Sequence, residues 1–289
     1  MYYHGRRVKH QRHYFNNIKY TKYPAYIGSI LFFIILSFVG YCNKFFFFLE
    51  YFCLFSFTYF VYVLFQWFFS VISESNFGGR YNKKVSSTLL FGFFLFLLSE
   101  ILLFSGFFWS FFDRIFFITG STFDTSFFNG TELIKWFIIP FIATIILLVS
   151  GFTFNFAFYL LKMQIFNEAL LFIILTEVFA YSFLLLQIDE YFELSFTLSD
   201  NIYSSLFFLL TGFHGMHVVV GTIFIIVTHE RIYSFHYTTN KILGFGFALI
   251  YWHFVDIIWI FLFFFIYLLN NWNFIYIFNI TNLYYIFTL

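Results

Sequence analysis

A handful of ionisable side chains sit inside long apolar runs, and these are the positions that could do chemistry: Glu100, Glu177, His214 with His217, and His253 with Asp256. Acids and histidines are costly within a membrane span and mark functional or packing sites. Glu100 lies near the middle of an apolar run, in Leu98-Ser99-Glu100-Ile101. Burial there favours the neutral acid. A proton relay, a lipid-headgroup anchor and a hydrogen bond that fixes helix packing all fit such a residue. Glu177 faces an apolar stretch with no partner identifiable from the sequence. His214 and His217 are three apart, as are His253 and Asp256, so each pair shares a helix face. A histidine held by a carboxylate can orient a metal ligand. The simpler reading is polar cross-linking between helices, helped by close approach at Gly212 and Gly215. Haem ligation needs axial histidines facing an open cavity, and nothing in the sequence supplies one. Asp200, in Leu198-Ser199-Asp200-Asn201, reads as a helix cap.

The elements that must position these groups follow from composition. The 289-residue chain is 62% hydrophobic, 29% aromatic and 10% charged, with a mean hydropathy of +0.85. Soluble domains carry about 25% charged residues. A soluble fold of this composition would expose far more apolar surface than a monomer tolerates. Long apolar runs and only two prolines favour helices, which satisfy their own backbone hydrogen bonds in lipid. The alternation of a spanning barrel is missing. A span needs about 20 apolar residues, which predicts seven spans, near 25–41, 46–72, 86–112, 133–161, 166–188, 201–228 and 242–268. A further apolar stretch at 272–289 is broken by Asn273, Asn279 and Asn282 and is expected to lie in the interface or against a neighbour. The resulting division is an N-terminal arm (1–24), two helices (25–72), a polar loop (73–85), five helices (86–268) and an apolar extension (269–289).

Charge tests this topology. With seven spans, twelve lysines and arginines fall on the side of the N-terminal arm, and three (Lys44, Arg114 and Lys135) on the other. Asp113, Asp124, Glu132, Asp189, Glu190, Glu193 and Asp200 all fall on that other side. The positive-inside rule puts the N-terminus in the matrix or cytoplasm. The basic arm Met1–Lys22 lacks the apolar core and cleavage site of a signal peptide. Cys42 and Cys53 form no metal-type pair, and a net charge of +1 implies no nucleic acid. Fifty-seven phenylalanines fit AT-rich codon drift in a membrane protein, which favours an organelle genome.

Several runs resemble one family. Phe207-Phe208-Leu209-Leu210-Thr211-Gly212-Phe213-His214-Gly215-Met216-His217-Val218-Val219-Val220-Gly221 and Tyr251-Trp252-His253-Phe254-Val255-Asp256 with Trp259 are similar to the sixth- and seventh-helix signatures of cytochrome c oxidase subunit III. Ser99-Glu100 with Gly106-Phe107-Phe108-Trp109, Gln66-Trp67 with Glu74-Ser75, and Gln187 with Glu190-Tyr191 and Ser199-Asp200 fit the same family in order. Gly246, where the family usually has glutamate, and Phe156-Ala157-Phe158-Tyr159, in place of a Trp-Ala-His-His type run, depart from it. So do Phe68, Ser73 and Glu177. The resemblance implies an all-α membrane fold of seven helices, in which a two-helix and a five-helix bundle flank a V-shaped cleft filled with phospholipid. It implies lipid or cleft contacts at Glu74, Glu100, Arg231 and His236, and structural polar roles for His214, His217, His253 and Asp256. It further implies no catalytic residue, metal or redox centre in this chain. Haem a and copper would reside in partner subunits I and II, in the mitochondrial inner membrane. Lineage-specific subunits could meet the C-terminal extension. The same superfamily includes quinol oxidases. A separate transporter using Glu100 and Glu177 is the remaining alternative, although the inverted repeats common in transporters are not evident.

Overall fold

A computed structural model describes residues 21–44, 48–76, 81, 83–116, 138–238 and 241–268. The polar arm up to residue 20 and the apolar stretch from 269 lie outside the described residues. The described chain is all-α. Its helices are α1 (Tyr23–Cys42), α2 (Leu49–Asn76), α3 (Lys83–Phe116), α4 (Ile139–Lys162), α5 (Phe166–Glu193), α6 (Ile202–Tyr233) and α7 (Leu243–Leu262), and α7 continues into a π-helical turn at Phe263–Leu268. All seven are long and apolar enough to cross a membrane. They match the seven expected spans. Several run past the apolar segments into polar sequence: α2 to Asn76, α5 to Glu193 and α6 to Tyr233.

Local chemistry sets the ends. Pro24 and Pro140 open α1 and α4, where a missing N–H is harmless. Helix α6 opens with a capping box, in which the Asn201 side chain accepts from the Ser204 N–H and the Ser204 hydroxyl receives the Asn201 N–H. The cap is therefore Asn201 and not Asp200. Asp200 instead closes the preceding turn, accepting from the Thr197 N–H at 2.6 Å and its hydroxyl at 2.8 Å. These two donors hold its carboxyl below the usual range. Lys44, Gln164 and Phe235, just beyond α1, α4 and α6, take positive φ of 54°, 64° and 54°. Left-handed residues of this kind commonly stop helices.

The chain forms two compact units, Met1–Phe91 and Gly92–Leu289. In the first, α1 packs along α2, with Phe33 and Phe52 meeting edge to face at 6.2 Å. In the second, α4, α5, α6 and α7 pack in a ring of neighbours, α4 against α5 and α7, and α6 against α5 and α7. Trp252, Trp259, Phe154, Phe183, Phe207 and Phe245 fill its centre. The α3 segment of this unit reaches α6 and α7 through aromatic side chains: Phe93 stacks on Phe247 at 4.7 Å and Phe107 meets Phe213 at 5.1 Å.

Candidate functional site

In the second unit the polar side chains of the spans meet as pairs between helices, at several depths. The Glu100–His217 pair joins α3 to α6, with 2.9 Å between Glu100 Oε2 and His217 Nε2. His217 Nδ1 lies 2.7 Å from the Phe213 carbonyl oxygen. A carbonyl only accepts, so Nδ1 carries a hydrogen. One further proton then lies between Nε2 and the carboxyl, either on the acid facing a neutral ring or on an imidazolium facing a carboxylate. Both forms leave the pair without net charge, which suits its surroundings of Phe104, Tyr251 and Phe254.

His214 is fully buried one turn away. Its Nε2–H donates to the Val255 carbonyl on α7 at 3.2 Å, and the ring lies against Trp259 and Phe183. On α7, His253 Nδ1 and Asp256 Oδ2 are 3.3 Å apart. Two indole N–H groups bind α7 to α4, from Trp252 to Ser150 and from Trp259 to Thr144, each at 3.0 Å. The close approaches fall at glycines other than the two expected. A Cβ on Gly151 would lie 2.6 Å from Asp256 Oδ2, and one on Gly221 would lie 2.8 Å from the Trp252 ring. A Cβ on Gly215 would meet nothing within 4 Å, and one on Gly212 only the Tyr191 hydroxyl at 3.9 Å. Gly212 and Gly215 sit on outward arcs of α6, whereas Gly221, at the end of the same run, meets the Trp252 ring, and Gly151 meets the Asp256 carboxylate and the His253 ring.

Glu177 has a partner that the sequence did not show. His229 Nδ1 on α6 lies 3.0 Å from Glu177 Oε1 on α5. The apolar run of the sixth span ends at 228, so His229 reads as a loop residue, although α6 continues past it. Beside this pair, Thr176 and Thr153 link α5 to α4 at 2.9 Å. Gln187, near the end of the expected span 166–188, and Glu190, just past it, are buried in the last turns of α5, 2.8 Å apart. Tyr191 joins Thr211 across to α6 at 2.7 Å.

The expected headgroup residues lie at helix ends. Arg231 occupies the last turn of α6, its guanidinium stacked 4.3 Å from the Tyr237 ring centroid and pressed on Gly244. Tyr237 is buried, and loss of water around it raises its pKa to about 12 against the lowering pull of Arg231. His236, three residues beyond α6, is half-buried, and its N–H donates to the Arg231 carbonyl at 2.9 Å. Glu74 lies in the last turn of α2 within the first unit, and raises the pKa of Tyr81 after burial has done so. Among the described residues no three His, Cys, Asp or Glu side chains converge as metal ligands.

Seven apolar helices, with polar contacts linking α3 to α7 as a group, define a multi-pass membrane protein. The family model for cytochrome c oxidase subunit III matches residues 13–272. A cytochrome c oxidase subunit 3 from Pelomedusa subrufa is 40% identical over 202 residues, covering 70% of this chain and 77% of the relative. One from Gazella subgutturosa is 39% identical over 207 residues, covering 71% and 78%. The chain belongs to the cytochrome c oxidase subunit III family.

Proposed function

We propose that this chain is a core subunit of a proton-translocating cytochrome c oxidase that holds no redox centre itself. Haem a and copper reside in partner subunits I and II, and this chain supports the catalytic subunit during electron transfer from cytochrome c to oxygen. It works in the mitochondrial inner membrane with its N-terminus in the matrix. It binds phospholipid, with Glu74, Arg231 and His236 near the headgroups and Glu100 deeper. Its contributions are stability, proton supply at the matrix face and sustained turnover.

The observation that carries this reading is how the span histidines are used. Both nitrogens of His217 are engaged, by Glu100 and by the Phe213 carbonyl. His214 gives Nε2–H to a backbone carbonyl inside a fully buried site. Ligation through His217 Nε2 would cost the bond to Glu100, and His214 is fully buried with its Nε2–H committed to a carbonyl. Arg231 suits a phosphate, because a guanidinium presents paired donors, and its Nε has no hydrogen-bond partner among the described residues.

The test is to strip this chain from the purified oxidase with detergent. The haem absorbance of the remaining core is expected to stay unchanged, while activity decays sooner under continuous turnover. Loss of haem in step with loss of the chain would contradict the reading.

A further inference from the structure

Among the described residues, His253 is the one histidine in the middle of a span that the bundle leaves open. Its side chain is 43% exposed, although it stands about 15 Å along α7 from Leu243, near the centre of a hydrocarbon layer about 30 Å thick. Asp256 holds Nδ1, which turns Nε2 outward. Acyl chains offer no hydrogen-bonding group, and at this depth headgroups and bulk water are out of reach. Polar side chains inside membranes almost always face a bundle interior or a wet cavity. The outward side of His253 is therefore an interior surface that the described residues do not complete.

The surroundings have the form of a helix-docking face. On α7 and its π-helical continuation, Ile257, Ile260 and Phe264 follow His253 at alternating intervals of four and three and are all exposed. On α4, Ile145, Val149 and Phe152 repeat the same intervals and are exposed too. This spacing is that of a helix–helix seam. The contact of Gly151 with Asp256 and His253 marks where α4 and α7 touch. The two helices are antiparallel, so these exposed arcs, each lying in the same rotational sense from that contact, face the same side.

We infer that the α4–α7 face centred on His253 receives a membrane-spanning helix of a partner subunit, and that this helix presents a serine or threonine hydroxyl to His253 Nε2. A hydroxyl both donates and accepts, so it serves either tautomer of the ring, and a small residue allows the close approach that packing in lipid requires. A second copy of this chain fits less well. Twofold symmetry would oppose two identical Nε2 atoms in the same protonation state, and like atoms do not bond each other. The inference rests on the oxidase-subunit reading and gives it a contact surface.

The experiment replaces Phe152, which is 75% exposed on α4, and in a separate chain Phe192, 86% exposed on α5, with the photoreactive p-benzoylphenylalanine. The chain is produced with its oxidase partners and irradiated in membranes. Position 152 is expected to attach to a membrane-spanning peptide of a partner subunit, identified by mass spectrometry. His253→Leu should lower that yield about three- to tenfold, the worth of one interhelical hydrogen bond, with attachment from position 192 unchanged. Adducts from 152 to lipid alone or to a second copy, or a yield indifferent to His253→Leu, would overturn the docking surface. If the haem-bearing complex contains the chain in that case, the oxidase reading stands and only the surface fails. If no haem accompanies the chain, the reading itself fails and the surface with it.

Discussion

Glu100 and His217 share one proton, and that sets what each substitution does. Gln in place of Glu100 can still offer an N–H to His217 Nε2, so Glu100→Gln should leave haem content and thermal stability of the complex nearly unchanged. Glu100→Leu strands His217 Nε2 among Phe104, Tyr251 and Phe254 and should cost about 1–2 kcal/mol, visible as a lower melting temperature. Loss of haem in the Gln variant would contradict a role without a redox centre. Tyr237 makes a pH prediction. Its folded pKa is about 12 against an ordinary value of 10.0, so the folded chain keeps this proton longer than the unfolded chain does. The associated stability is complete below pH 10 and is lost as pH rises through 12, by about 3 kcal/mol at most. Tyr237→Phe keeps the ring under Arg231 and removes a buried hydroxyl without a hydrogen-bond partner among the described residues. It should be close to neutral at pH 7 and should flatten the alkaline loss, as measured by thermal melts across that range.

At the scale of elements, glycines separate contact from exposure. Gly221→Ala drives a methyl into the rigid Trp252 ring and should destabilise by about 1–3 kcal/mol, whereas Gly215→Ala meets open space and should not destabilise. Comparing their melting temperatures checks which face of α6 is packed; equal effects would contradict the arrangement. Gln164 stops α4 at φ 64°. Gln164→Gly removes the cost of a side chain in that conformation, less the extra freedom glycine has when unfolded, for a net gain of about 0.5–1 kcal/mol. The helices were legible in sequence because hydrocarbon thickness fixes the length of an apolar run. Their ends were less so, since Glu74, Glu193 and Arg231 continue helices into the polar layer where hydropathy no longer reports on them. Pairings within one helix, such as His253 with Asp256, followed from the 3.6-residue period. Glu177 with His229 and Glu100 with His217 did not, because the rotation and depth of one helix against another are set by packing among all of them. The same holds for Gly151, whose neighbours come from α7.

For the whole molecule, composition already decides the solvent. Exposed Phe, Ile and Leu side chains occur along every span, and in lipid they carry no cost. The polar residues left over are few, and most are satisfied inside the second unit. Such a chain offers its neighbours shape, a lipid surface and a few placed charges. Its membership in the subunit III family places those features in a cytochrome c oxidase. The most direct measurement is an optical spectrum and copper assay of the native-gel band that contains this chain after gentle detergent extraction. An a-type haem spectrum with copper in a large complex is the predicted result. A haem-free band containing this chain alone would contradict the account and return attention to Glu100 and Glu177 as transport residues.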